Sequence, residues 1–143
     1  MTPVRTYLLR MALETAVMRE NTGSTVSATG VRPGHTVEDI VDAHHGDGVQ
    51  DAFFDDDQVL TISVHESGQY LFPGTGFVGD VGKGRGTGYA VNIPLFPYTG
   101  DEIYLETFFA LVPPLLKAFG PDVLVTQLGI DTYHSDPITH LQI

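Results

Sequence analysis

Val59-Leu60-Thr61-Ile62-Ser63-Val64 is a β-branched run bounded by polar turns. Such a run reads as a strand buried in a sheet. Asp122-Val123-Leu124-Val125-Thr126-Gln127-Leu128-Gly129 is a second buried strand, and Tyr89-Ala90-Val91-Asn92-Ile93-Pro94 is a third. Between these two lies a helical pattern over 102–119, with Ile103, Leu105, Phe108, Phe109, Val112, Leu115, Leu116 and Phe119 on its apolar face. Asp101 is placed to cap that helix, and Pro113 and Pro114 predict a kink or an early break in it. Earlier in the chain, Glu38-Asp39-Ile40-Val41-Asp42 suits a short strand and residues 48–54 a short helix. The acidic run Asp55-Asp56-Asp57 then reads as a solvated turn. Strand, helix, strand, repeated, means βαβ units and therefore an α/β fold, a parallel β-sheet flanked by helices.

The chemistry gathers where the first strand ends. Val41-Asp42-Ala43-His44-His45-Gly46-Asp47-Gly48 packs two carboxylates and two imidazoles into six residues. The carboxyl ends of strands are where parallel sheets put their sites. Asp42 and His44 are two apart, so in extended geometry their side chains point the same way. A carboxylate oxygen and an imidazole nitrogen then converge on one point, as a metal ion requires. The competing reading is a capped turn with solvated polar side chains. Asp131 lies just past the end of the 122–129 strand. If the two strands are near neighbours, two carboxylates and one imidazole meet and leave a position open for water, the arrangement of a catalytic zinc.

Composition narrows the alternatives. There is no cysteine, so any metal must be held by Asp, Glu or His. A net charge of −11 argues against sequence-independent nucleic-acid binding. No run approaches the ~18 apolar residues of a membrane span, and no secretory leader is evident near Arg5 and Arg10. The expected location is therefore cytoplasmic. Four of the seven basic residues (Arg5, Arg10, Arg19, Arg32) precede residue 37, which marks a boundary near Gly34. Residues 4–20 carry a helical pattern and 21–36 have loop composition, so 1–36 form an unassigned helix and loop. The glycine-rich stretch up to Gly88 lacks a phosphate-binding signature and reads as a long surface loop.

Three separate motifs now carry a resemblance. They are Asp-Ala-His-His-Gly-Asp-Gly-Val-Gln at 42–50, His-Glu-Ser-Gly followed by Leu-Phe-Pro-Gly-Thr-Gly within 65–76, and Gln-Leu-Gly-Ile-Asp-Thr followed by Asp-Pro within 127–137. In order and spacing, residues 37–143 resemble the central part of the histone deacetylase family, and its bacterial acetoin utilization branch most closely. The resemblance implies an arginase/deacetylase fold and a hydrolase that cleaves the amide of acetyl-lysine, or of a related acetylated amine, with metal-bound water. It implies zinc, with ferrous iron as the alternative, on Asp42, His44 and Asp131. Asp47 matches the carboxylate that orients a catalytic histidine. Phe72 matches an aromatic wall of the channel for the acyl-lysine stem. A structural potassium site matches Asp42 and His44 through other atoms, together with Ser63 and Val64. A second monovalent-ion site matches Phe53, Asp56, Val59 and Tyr89. The implied partners are an acetylated protein or a small acetylated amine, with neither nucleic acid nor a membrane; the oligomeric state is not implied.

The departures from the pattern matter as much. The family's paired catalytic histidines have no counterpart in residues 1–36, where His35 stands alone, and its carbonyl-polarising tyrosine would lie beyond Ile143. Ile40 stands where the family has an aspartate, and Asp39 is one residue out of register, which turns a strand side chain to the other face. The expectation is a fragment that keeps the metal ligands, lacks the general base and oxyanion donor, and has low or no activity. Incomplete support around the ligands predicts weak zinc binding. A non-catalytic remnant that binds a metal or a partner is the alternative. A manganese ureohydrolase is disfavoured because Gly46 stands where that site has a bridging carboxylate. The remaining histidines receive plain readings: His45 packs behind the ligand, and His65, His134 and His140 sit in polar turns, with His134 a candidate for the pocket mouth. Asp136, before Pro137, reads as a turn former.

Overall fold

The computed structural model describes residues 36–143, and the side chains from Ala43 onward together with that of Asp42; the chain divides into two units between Pro33 and Gly34. The expected helix over 4–20 and the loop after it lie outside the described residues, as do the side chains of Asp39 and Ile40.

Four strands form one parallel sheet: β1 (Thr36–Val41), β2 (Val59–Glu66), β3 (Ala90–Leu95) and β4 (Val123–Leu128), in the order β3-β2-β1-β4. A short helix α1 (Asp47–Phe53) joins β1 to β2, and a long helix α2 (Asp101–Phe119) joins β3 to β4. Register is consistent across the sheet: Val41 is opposite Val64 of β2 on one side and opposite Leu128 of β4 on the other. β2 pairs with strands on both sides and is buried at all eight positions, Ile62 and Val64 completely. This is why a continuous apolar run, and not an alternating one, encodes it.

α2 buries a narrow stripe, Tyr104, Phe108 and Val112, at i, i+4, i+8. It runs unbroken through Pro113 and Pro114, contrary to the expected break. Both prolines are solvent-exposed. Gly100, not Asp101, is the N-cap, and no side chain caps the helix; Asp101 and Glu102 instead place negative charge in its first turn. Gly120 ends it in the left-handed conformation, φ 64°, with its N–H on the Leu116 carbonyl.

One expectation about burial is overturned. β4 is an edge strand, with Val125 43% and Leu128 52% exposed. Among the described residues it has a strand neighbour on one side only. Among the described residues no helix is long and apolar enough to cross a membrane.

Candidate metal centre

β1 has β2 on one side and β4 on the other, and the chain passes first to β2 and only later to β4. The carboxyl ends of β1 and β4 therefore flank a crevice of the kind where open parallel sheets bind ligands. Asp42 and His44 follow β1, and Asp131 follows β4. The three side chains are partly buried and each offers one donor atom within 4.8 Å of the others. His44 Nδ1 lies 2.8 Å from Asp131 Oδ2 and 3.2 Å from Asp42 Oδ1. The backbone aims both carboxylates: Ala43 N–H donates to Asp131 Oδ1 at 3.0 Å, and His44 N–H donates to Asp42 Oδ1 at 2.8 Å.

The residues fit a metal ion. Ligand atoms about 2.0–2.1 Å from a tetrahedral centre stand roughly 3.3 Å apart, near the separations between Nδ1 and the two carboxylates. The set is one nitrogen and two oxygens, all borderline to hard donors. The floor of the site is Gly129, where a Cβ would stand 2.7 Å from Asp131 Oδ1 and closer still to Asp42 Oδ2. Sequence reasoning did not single out Gly129. Its place at the end of a strand, two residues before a ligand, was the available signal.

Behind the ligands lies a buried polar layer. His45 Nε2 donates to Gln50 Oε1 at 3.3 Å, and its Nδ1 pairs with Thr75 Oγ1 at 2.8 Å. Gln50 Oε1 also accepts from Asn92 Nδ2 at 2.6 Å. His45, next to His44, is thus buried and hydrogen-bonded. His65 does not sit in a polar turn. It belongs to β2, is completely buried, and has its ring 4.9 Å from that of His45. Its Nε2–H donates to the Gly76 carbonyl at 3.0 Å, and its Nδ1 accepts from Ser63 Oγ at 2.9 Å. Burial pushes its pKa down from 6.5 to about 4; the Gly76 carbonyl opposes that shift, and the neighbouring His45 adds to it.

A pH dependence follows. The unfolded chain takes up this proton near 6.5 and the folded chain only near 4, so acid favours unfolding. The contribution is complete above about pH 6.5 and is lost as the pH falls toward 4. Between pH 7 and pH 5 it amounts to roughly 2 kcal/mol. Urea unfolding of the wild type and His65→Gln at both pH values isolates it: the wild type is expected to lose that much more than the variant, and equal losses would refute the assignment.

The other expected residues are placed as follows. Asp47 opens α1, is exposed, and accepts from Gly48 N–H at 2.8 Å. Phe72 is 79% exposed on the loop that leaves the carboxyl end of β2. Ser63 and Val64 are buried in β2 opposite Ile40 and Val41 of β1. Phe53, Asp56 and Val59 share the turn from α1 into β2, where the Phe53 carbonyl accepts from Asp56 N–H. The Tyr89 carbonyl accepts from Thr61 N–H of β2 at 2.9 Å. His134 is exposed, with its ring edge-on to Tyr133. His140 is not a bystander in a turn either, because its Nδ1 pairs with the buried carboxylate of Glu66 at 2.9 Å. Asp136 Oδ1 accepts from Ile138 N–H and Thr139 N–H, which makes it the expected turn former.

Residues 39–143 match the family model of the histone deacetylase domain. The chain belongs to the histone deacetylase family. Acetoin utilization protein AcuC of Bacillus subtilis is 49% identical to it over 100 residues, covering 70% of this chain and 26% of that protein. AcuC of Staphylococcus xylosus is 47% identical over the same shares. The chain thus spans about a quarter of the length of these relatives. Among solved structures, a histone deacetylase homologue from Aquifex aeolicus superposes with a TM-score of 0.74 at 37% identity, over 77% of this chain and 30% of that one. A histone deacetylase homologue complexed with SAHA superposes equally well, also at 37% identity, over 76% of this chain and 30% of that one. The parallel α/β sheet is that of this family, as the motifs implied.

Proposed function

We propose that residues 37–143 form the metal-binding part of a deacetylase of the histone deacetylase/acetoin utilization type, which hydrolyses the amide of acetyl-lysine or a related acetylated amine. The observation that carries this reading is the meeting of Asp42, His44 and Asp131 between β1 and β4, in a chain of this family. The donor set suits zinc, or ferrous iron in its place. Such an ion, when bound, supplies a Lewis acid for the amide carbonyl and lowers the pKa of water. The chain's own contribution is to hold three donors in register and to keep the layer behind them dry. Phe72, exposed at the same end of the sheet, offers an apolar face to the stem of an acyl-lysine. Potassium on the Ser63–Val64 strand end, a monovalent ion at the 53–59 turn and a cytoplasmic location belong to the same reading.

Among the buried or paired imidazoles of the described residues, a proton acceptor is the weak point. His45 and His65 spend both ring nitrogens on neighbours, and His140 is tied to Glu66. A general base must reach the proton that it takes, and these imidazoles are engaged elsewhere. The expected result for this chain with added zinc is therefore metal uptake, weak SAHA binding and little hydrolysis of an acetyl-lysine peptide. Asp131→Ala should weaken zinc binding by more than the ~100-fold that loss of a supporting residue causes. Zinc titration of both proteins tests this. Uptake that Asp131→Ala leaves unchanged would overturn the site. Hydrolysis that vanishes in Asp131→Ala would instead refute the non-catalytic alternative.

A further inference from the structure

Glu66 ends β2, and its side chain is completely buried. Burying a carboxylate is costly unless its oxygens are paired. Here both oxygens go to one residue. Oε2 accepts from His140 N–H at 2.8 Å, and Oε1 pairs with His140 Nδ1 at 2.9 Å. The backbone of Glu66 reaches the other way: its N–H donates to the Ala43 carbonyl at 2.9 Å. Ala43 stands between the ligands Asp42 and His44, and its own N–H holds Asp131 Oδ1. Thr139, next to His140, donates from its hydroxyl to the Asp131 carbonyl. Asp136 Oδ1 stiffens the intervening turn by accepting from Ile138 N–H and Thr139 N–H. These bonds close a ring through Ala43, Glu66, His140, Thr139 and Asp131, so that one buried carboxylate joins the two segments that bear the ligands.

We propose that Glu66, through His140, is a positioning residue for the metal centre. It fixes the segment carrying Asp131 against the turn carrying Asp42 and His44. The inference rests on the metal-site reading above. Neither Glu66 nor His140 is among the three metal-facing donors, so their effect is on affinity and ligand geometry.

The test uses the full chain, with zinc alone for affinity and cobalt(II) as a visible probe of ligand geometry. Glu66→Ala is expected to weaken zinc binding by about 10- to 100-fold and to alter the cobalt ligand-field band. Glu66→Gln keeps an acceptor for His140 N–H and should recover most of the affinity. His140→Ala should weaken binding less than Glu66→Ala, and the double variant no more than Glu66→Ala alone, because one contact is lost in each case. Should Glu66→Ala fail to fold, His140→Ala decides. Wild-type affinity and an unchanged cobalt band in the folded variants, with binding abolished in Asp131→Ala, overturn the positioning role and leave the metal centre standing. Wild-type affinity in Asp131→Ala overturns the metal centre and this role together.

Discussion

Gly129→Ala is expected to abolish zinc binding while leaving the fold intact. The added Cβ would stand 2.7 Å from Asp131 Oδ1 and closer to Asp42 Oδ2, inside any contact that real atoms make. Gly129 is not among the residues with positive φ, so the backbone itself accepts alanine there. What must give way is the pair of carboxylates, and they can rotate toward solvent because both are only partly buried. The strain is thus relieved by moving two of the three ligands and not by moving β4. Stability should stay within about 1 kcal/mol of wild type, as for substitutions outside a packed core. Zinc affinity should fall by more than ~100-fold, beyond the range for supporting residues. Urea unfolding and zinc titration on the same preparation separate the two effects. A Gly129→Ala chain that binds zinc like the wild type would show that the carboxylates do not meet over this glycine.

What the sequence displayed was local chemistry, and what it concealed was long-range partnership. β2 was readable because burial on both faces removes alternation, leaving Val59 to Val64 as an uninterrupted apolar run. That Asp42, His44 and Asp131 meet was readable because the first two share a spacing of two at one strand end and the third follows another. His65, expected in a polar turn, and Glu66 beside it are polar and follow that run, so nothing local marks them as strand. The strand continues through both, pairing with Pro94 and Leu95. Each is tolerated inside because its partner arrives from elsewhere in the chain, Gly76 for His65 and His140 for Glu66. The exposure of β4 was equally hidden. Whether a strand lies at the edge depends on where the crossovers place it, and Val123 to Leu128 alone do not encode that. The helix also continues through Pro113 and Pro114, both on its exposed face, although proline locally argues for a break.

Gly76→Ala should be the opposite experiment, costing the fold and not merely the site. Gly76 has φ +78°, a conformation that costs an L residue roughly 1–2 kcal/mol. The added Cβ would stand 2.5 Å from His65 Nε2 and 2.6 Å from two carbons of the His45 ring. Neither ring can retreat: His65 is held by Ser63, and His45 by Thr75 and Gln50, both in the interior. The loop must lift instead, which withdraws the Gly76 carbonyl from His65 Nε2–H and leaves a buried donor unpaired, a further loss of about 1–3 kcal/mol. With the steric clash added, the total should exceed about 4 kcal/mol, a large share of the 5–15 kcal/mol typical of a domain. Urea unfolding measures it, and a loss below about 1 kcal/mol would show that the loop does not seal this layer. A second readout comes from the imidazole itself. Once the loop lifts, water reaches His65, its pKa returns toward 6.5, and the loss of stability between pH 7 and pH 5 should flatten. A destabilised variant that kept the full acid sensitivity would mean that burial under Gly76 is not what holds the His65 pKa down.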